Sequence, residues 1–298
     1  WNIWDDKTQA DTSRLKAMKE IAWNGYLFSQ PDSAFYFAGL QYDFAESVNN
    51  KKWMATALNT QGISFAIRGD YAKSIDYLTK SLKIYEEIGD KKGIANSLGN
   101  IGNIYWRQGD YAKAIDYYTK SLKIREEIGN KRGIAMSLNN IGIIYYEQGD
   151  YANAIDYYTR SLKIYEEIGD KKGIANSLNN IGSIYKNQGD YAKAIDYYTK
   201  SLKIDEEIGD KKDIANCLMN IGIIYKNQGD YAKAIDCYTR SLKIEEEIGN
   251  KKGIASCLNN IGLIYKNQGD LAKAIDYYTK SFKISEEIGD KNVIAASL

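Results

Sequence analysis

GDYANAIDYYTRSLKIYEEIGDKKGIANSLNNIGSIYKNQ, residues 149–188, returns with small edits from Gly69, Gly109, Gly189, Gly229 and Gly269, forty residues apart and without insertion. A fixed period of this size marks a stacked array in which each unit buries its apolar face against the next. The punctuation divides each unit into two helices. In the copy that starts at Gly189, Asp190 stands where an N-cap belongs, Gly209 where a left-handed C-cap belongs, and Asp210 caps the following helix. Ile195, Tyr198 and Leu202 follow i, i+3, i+7 spacing, and Ile174, Leu178, Ile181 and Tyr185 follow i, i+4, i+7, i+11 spacing, so both helices are amphipathic. Gly182 and Ala194 are small residues where two helices in close contact leave no room for a larger side chain, and an antiparallel pair packed through them is expected. The fold class is all-α.

Leu178, Ile181, Gly182 and Tyr185, followed by Ala194, Tyr198 and Ser201, resemble the tetratricopeptide signature of small and large residues at fixed offsets, repeated in six copies. Two departures narrow the resemblance: Glu206 stands where the family usually has proline, and the unit is forty residues long instead of about thirty-four. The IGDKKGIA joint is similar to that of the long-repeat subgroup found in Leu-Gly-Asn-repeat polarity adaptors, kinesin light chains and bacterial signalling proteins. The resemblance implies a right-handed superhelical α-solenoid of antiparallel helix pairs. It also implies that the first helix of each unit lines a concave groove for an extended or helical peptide.

Residues 1–10, opening on Trp1 with no initiator Met, are expected either to cap the first unit or to form a loosely ordered leader. Residues 11–50 read as a degenerate first unit in the same register, with Pro31, the only proline, at the start of its second helix. Their DTSRLKAMKEIAW and PDSAFYFA segments resemble the opening units of bacterial arrays that precede cyclase, histidine-kinase or DNA-binding output domains. Six units of forty residues then fill 51–290, and 291–298 are expected to begin a further helix that more protein would continue, with Val293, Ile294 and Leu298 uncovered.

Charge and composition remove several classes. With 40 basic against 39 acidic residues the net charge is +1, so neither nucleic acid nor an anionic membrane is an expected partner. The longest apolar stretches are a few residues around 141–146, too short for a signal peptide core or a membrane span. A cytoplasmic location is favoured, with an extracytoplasmic sensor region as the alternative. Histidine is absent, which removes the commonest general base and metal ligand. Cys217, Cys237 and Cys257 lack zinc-ligand spacing, and Cys217 and Cys257 share a position that is Ser in the other full copies except the first, where it is Ala57, so small buried side chains are expected there. The pairs Glu86-Glu87, Glu126-Glu127 and Glu166-Glu167 diverge by about 100 degrees around a helix and cannot face one substrate. Each second Glu stands four residues before a Lys, as Glu87 before Lys91, a spacing that suits surface ion pairs. No enzyme, metal or cofactor is expected.

Binding residues are therefore sought on the first helices. Asn100, Asn140, Asn180, Asn220 and Asn260 stand two before a repeated glycine, with Thr60 in the first full unit, and Asn96, Asn176 and Asn216 stand one turn earlier. Amide side chains both donate and accept, so a ladder of them can hold a peptide backbone without reading its sequence. In the resembling adaptors asparagines at this motif position do so; an inter-repeat hydrogen bond that fixes the stacking is the competing role. Trp106, Arg107 and Tyr146, which give way to Lys-Asn in the later copies, form a candidate hot spot. The basic positions of the chaperone-adaptor carboxylate clamp are here Asn179 and Ser183, so that arrangement is not matched. Three readings stay open: an interaction scaffold binding a peptide or protein segment, the sensor half of a larger signalling protein, and head-to-tail self-assembly.

Overall fold

The computed structural model describes residues 2–289, and the chain divides into two compact units, residues 1–157 and 158–298. In the first unit lie α1 (Asn2–Asp5), α2 (Asp11–Glu20), a π-helical turn (Ile21–Tyr26) and α3 (Pro31–Ser47). The unit continues with α4 (Lys51–Ile67), α5 (Tyr71–Glu87), α6 (Lys91–Arg107), α7 (Tyr111–Glu127) and α8 (Lys131–Glu147). The division falls within α9 (Tyr151–Glu167). The second unit contains α10 (Lys171–Asn187), α11 (Tyr191–Ile208), α12 (Lys211–Asn227), α13 (Tyr231–Glu247), α14 (Lys251–Asn267) and α15 (Leu271–Ile288). No strand occurs among the described residues, and no helix there is long and apolar enough to cross a membrane. The expected helix over 291–298 lies outside them.

The repeated GDYAK motif explains why each second helix starts where it does. Asp190 Oδ1 accepts from the Lys193 backbone N–H at 3.2 Å, filling one of the orphan donors of the first turn of α11. Its other oxygen meets Lys193 Nζ at 2.8 Å, and that ammonium stands 4.9 Å from the ring centre of Tyr185 at the end of α10. Asp110, Lys113 and Tyr105 repeat the arrangement at the start of α7. Gly209, at φ 72°, closes α11 in a left-handed conformation that a side chain would resist. At the far end of the chain Trp4 stacks edge-on against Phe44 of α3 at 5.3 Å, and the Arg14 guanidinium lies 4.2 Å from the Phe44 ring centre.

Within a repeat the two helices run antiparallel: Gly62 of α4 meets Leu78 of α5, while Ala55, nearer the start of α4, meets Ser81, nearer the end of α5. The contact is tight. The Ser81 hydroxyl donates to the Ala55 carbonyl at 2.8 Å, and Ser121 to Ala95 at 2.7 Å, Ser201 to Ala175 at 2.9 Å, Ser241 to Ala215 at 3.0 Å and Ser281 to Ala255 at 2.8 Å do the same. These serines are buried, so their hydroxyls must find a partner, and the facing carbonyl's second lone pair provides it. In later pairs the glycine faces an aromatic ring instead of Leu78: a Cβ on Gly182 would stand 3.0 Å from the buried Tyr198 ring.

Second helices also pack on the following first helix, which turns pairs into a stack. Ala66, Leu78, Ile101 and Ile104 form one core spanning α4, α5 and α6 in the first unit. Ala194, Tyr198, Ile221, Ile224 and Cys237 form another across α11, α12 and α13 in the second. The glutamate pairs behave differently from the sequence expectation. Glu87 pairs with Lys51 at 3.2 Å, not with Lys91, which instead pairs with Glu127 at 3.2 Å. The turn after Glu87 carries Lys91 into the next helix, and antiparallel packing sets the end of each second helix beside the start of its own first helix. Being exposed, each pair is worth about 0 to 1 kcal/mol.

Gly182→Leu is expected to lower unfolding stability by about 1 to 3 kcal/mol, because the added side chain displaces Tyr198 from the floor of the pair. Urea unfolding followed by circular dichroism checks it; an unchanged midpoint would contradict this helix contact.

Candidate functional site

The first unit holds a cavity of about 510 Å³ built from the same face of three successive first helices. From α4 come Lys52, Trp53, Thr56, Asn59 and Thr60; from α6, Lys92, Asn96, Asn100 and Asn103; from α8, Met136, Ser137 and Asn140. Spacings of three and four place these residues one above another on each helix. Tyr85 of α5 and Tyr118 and Arg125 of α7 form the floor, and Lys19 with Trp23, the latter on the π-helical turn, closes one end. The volume falls within the range of ligand sites.

Most polar groups on this surface are already oriented. The Asn100 amide donates to Asn59 Oδ1 in the preceding repeat at 3.2 Å, the Tyr118 hydroxyl donates to Asn103 Oδ1 at 2.6 Å, and the Tyr85 and Thr56 hydroxyls share a hydrogen bond of 2.9 Å. Lys52 pairs with Asp90 at 2.8 Å. The Arg125 guanidinium donates to the Gly133 carbonyl at 2.7 Å, to Ser137 Oγ at 3.1 Å and to Asn96 Oδ1 at 3.5 Å. An amide has two donors and an oxygen with two lone pairs, so Asn100 keeps capacity for a ligand after bridging to Asn59. The two roles set against each other for these asparagines are thus compatible in one side chain.

Of the residues singled out in the sequence, Asn96, Asn100 and Asn140 share this cavity. Asn180, Asn220, Asn260, Asn176 and Asn216 occupy the corresponding faces of α10, α12 and α14 in the second unit. There Asn260 donates to Met219 Sδ at 3.6 Å, and Asn220 accepts from Lys186 Nζ at 3.4 Å. Asn216 donates to Asp213 at 3.2 Å. Trp106, Arg107 and Tyr146 are not among the cavity's lining residues. They lie at the far end of their helices, where the Trp106 indole donates to Glu147 of the next repeat at 2.8 Å and Tyr146 packs on Tyr151 at 6.0 Å. Sequence reasoning missed Trp23, Trp53, Tyr85 and Arg125. For Tyr85 and Arg125 a signal exists: the helix around them is nearly constant between copies, yet this one position reads Tyr85, Arg125, Tyr165, Asp205, Glu245 and Ser285.

The tetratricopeptide repeat family model matches residues 53–127, 133–207 and 213–287, most of the chain. The chain belongs to the tetratricopeptide repeat family. No curated protein sequence matches it significantly. Among solved structures it is similar to BtubC from P. vanneervenii, at 21% identity and a TM-score of 0.66 over 74% of this chain and 93% of that one. Aspartyl phosphate phosphatase F from Bacillus subtilis matches at 17% identity and a TM-score of 0.68 over 92% and 70%. A signal transduction ATPase with numerous domains and a tetratricopeptide repeat sensor, from Pyrococcus horikoshii, matches at 16% identity and a TM-score of 0.76. The match covers 96% of this chain and 45% of that one. At these identities the likeness is one of fold alone.

In this tetratricopeptide array the variable position lies against the start of the following first helix wherever that helix is described. A Cβ on Gly93, Gly173 or Gly253 would overlap Tyr85, Tyr165 or Glu245, and where the side chain is the shorter Asp205 the glycine is replaced by Asp213. Asp205 is buried; burial and then repulsion from Asp213 raise its carboxyl to about 6, against the pull of Lys172 and of the Ser201 hydrogen bond. Lys172 bridges the nearby Asp210 and Asp213. Burial likewise pushes the Cys217 and Cys257 thiols up to about 11, which keeps them protonated and unreactive at neutral pH.

Asp205 yields a pH-dependent expectation. The unfolded carboxyl loses its proton near about pH 4, the folded one near 6. The folded state therefore binds the extra proton between those values, and the stability tied to it is full below about pH 4 and lost as pH rises through 6. Asp205→Asn, which mimics the neutral acid, should melt like the wild type at pH 4 and at a higher temperature at pH 7. Thermal melts of both proteins at each pH unit from 4 to 7 check this; a difference independent of pH would refute it.

Proposed function

We propose that the chain is a non-enzymatic interaction scaffold and that the groove of the first unit binds an extended peptide segment of a partner protein. The observation that carries this reading is the convergence of Asn59, Asn96, Asn100, Asn103 and Asn140 on one cavity walled by Trp23, Trp53 and Met136. A peptide in extended form presents alternating N–H and C=O groups that need partners on leaving water, and amides supply either kind. Aromatic and thioether side chains take apolar groups of differing shape, so the wall adds affinity without rigid selection. Met136 is 46% exposed, a surface position where its side chain has no internal packing role to fill. The repeats that carry these residues are fixed by their own cores, so the groove is formed before a ligand arrives.

The test is a selection of random dodecapeptides displayed on phage against the intact chain, followed by calorimetry of the best peptide with Asn100→Ala/Asn140→Ala. Loss of two hydrogen bonds should weaken binding about 5- to 100-fold. The melting temperature should stay within a few degrees. Trp106→Ala should leave affinity unchanged, since Trp106 lies outside the cavity. Unchanged affinity in the double asparagine variant together with a large fall in melting temperature would assign the ladder to stacking and overturn the reading.

A further inference from the structure

The position occupied by Tyr85, Arg125, Tyr165, Asp205, Glu245 and Ser285 is buried in every copy, although its chemistry ranges from aromatic to cationic to anionic. Core packing does not dictate that range, because phenol, guanidinium and carboxylate are all accommodated against the same helix start. The neighbours are constant: Lys and Ile precede it, two glutamates follow, and a glycine faces it in four copies. A position that is free in chemistry, fixed in place and set in the floor of the groove is suited to reading a ligand. Tyr85 and Arg125 both line the cavity of the first unit.

Arg125 gives that cavity its sign. Four cationic side chains, Lys19, Lys52, Lys92 and Arg125, line it against a single carboxylate, Asp90, and Asp90 is already paired with Lys52. Arg125 is 7% exposed, and its guanidinium donates to the Gly133 carbonyl, Ser137 and Asn96. A guanidinium fixed in this way presents its positive charge to a carboxylate with little entropy left to lose, and at low dielectric that attraction is stronger than at a surface. Arg125 lies on α7, between the asparagines of α6 and the asparagine of α8. A backbone held by that ladder passes over Arg125 instead of ending there, so the carboxylate it meets belongs to a side chain.

We infer that Arg125 selects, in the peptide groove of the first unit, an extended peptide with an aspartate or glutamate side chain over the guanidinium and apolar side chains against Trp23 and Trp53. The inference rests on the peptide-groove reading and specifies its ligand. Tyr85 and Tyr165 show which replacement the fold accepts at this position, so Arg125→Tyr removes the charge while keeping a side chain that sister repeats bury.

The same dodecapeptide selection tests it, run on the intact wild type, on Arg125→Tyr and, should Arg125→Tyr melt early, on Arg125→Gln. Wild-type selection should enrich Asp or Glu at one position, and replacing that residue by Gln or Asn in a synthetic, C-terminally amidated peptide should weaken binding about 10- to 100-fold. The variants should bind the acidic and amide peptides alike. Enrichment of neutral or basic peptides, an acidic preference that survives in both variants, or binding that requires a free C-terminus would each overturn the role of Arg125 and leave the peptide groove standing. Recovery of no peptide at all would overturn the groove reading itself, and this inference with it.

Discussion

Each repeat depends on how closely its two helices approach. At the level of the repeated serine the backbones stand near enough for a buried hydroxyl to reach a carbonyl of the facing helix, and further along a glycine leaves space for a leucine or an aromatic ring. That contact fixes the rotation of both helices. Rotation in turn decides which residues of the first helix look inward to the pair and which look out into the groove. A larger residue at the glycine, or the loss of the hydroxyl, would move every outward-facing side chain of that repeat with it.

Because the units are near copies, the same rotation recurs and the outward faces align. Asn59, Asn100 and Asn140 fall on one surface because α4, α6 and α8 present the same face to it, not because anything between them is strong. The ion pairs that accompany the stack, such as Lys51 with Glu87, are exposed and follow the geometry without creating it. The second helices contribute from beneath. Their variable residue, Tyr85 or Arg125, is anchored in the packed layer yet reaches the groove, which joins the rigidity of a core position to the chemistry of a binding one.

The burden of variation differs between the units. In the first, the position carries an aromatic and a cation beside an open cavity. In the second, Asp205 and Glu245 are buried carboxylates, and one of the Asp205 oxygens and one of the Glu245 oxygens find no hydrogen-bond partner among the described residues. An acid held there at a cost in stability is the kind of local inconsistency that uniform copies would not retain for packing alone.

The sequence by itself determined the helices, their caps and the pairing within each repeat. Period, Asp at the N-cap, glycine after the last turn and the spacing of Ile174, Leu178, Ile181 and Tyr185 are local signals, repeated until chance is excluded. It also determined the face that carries Asn96, Asn100 and Asn140. Only the tertiary structure decided that Trp106, Arg107 and Tyr146 lie beyond the cavity at the far end of their helices, that Glu87 reaches back to Lys51 and not on to Lys91, and that Arg125 enters the groove from a second helix. The physical reason is common to all three. Each depends on which residues of different helices come together, and that is set by crossing angle and stacking, quantities that the spacing along one helix does not contain.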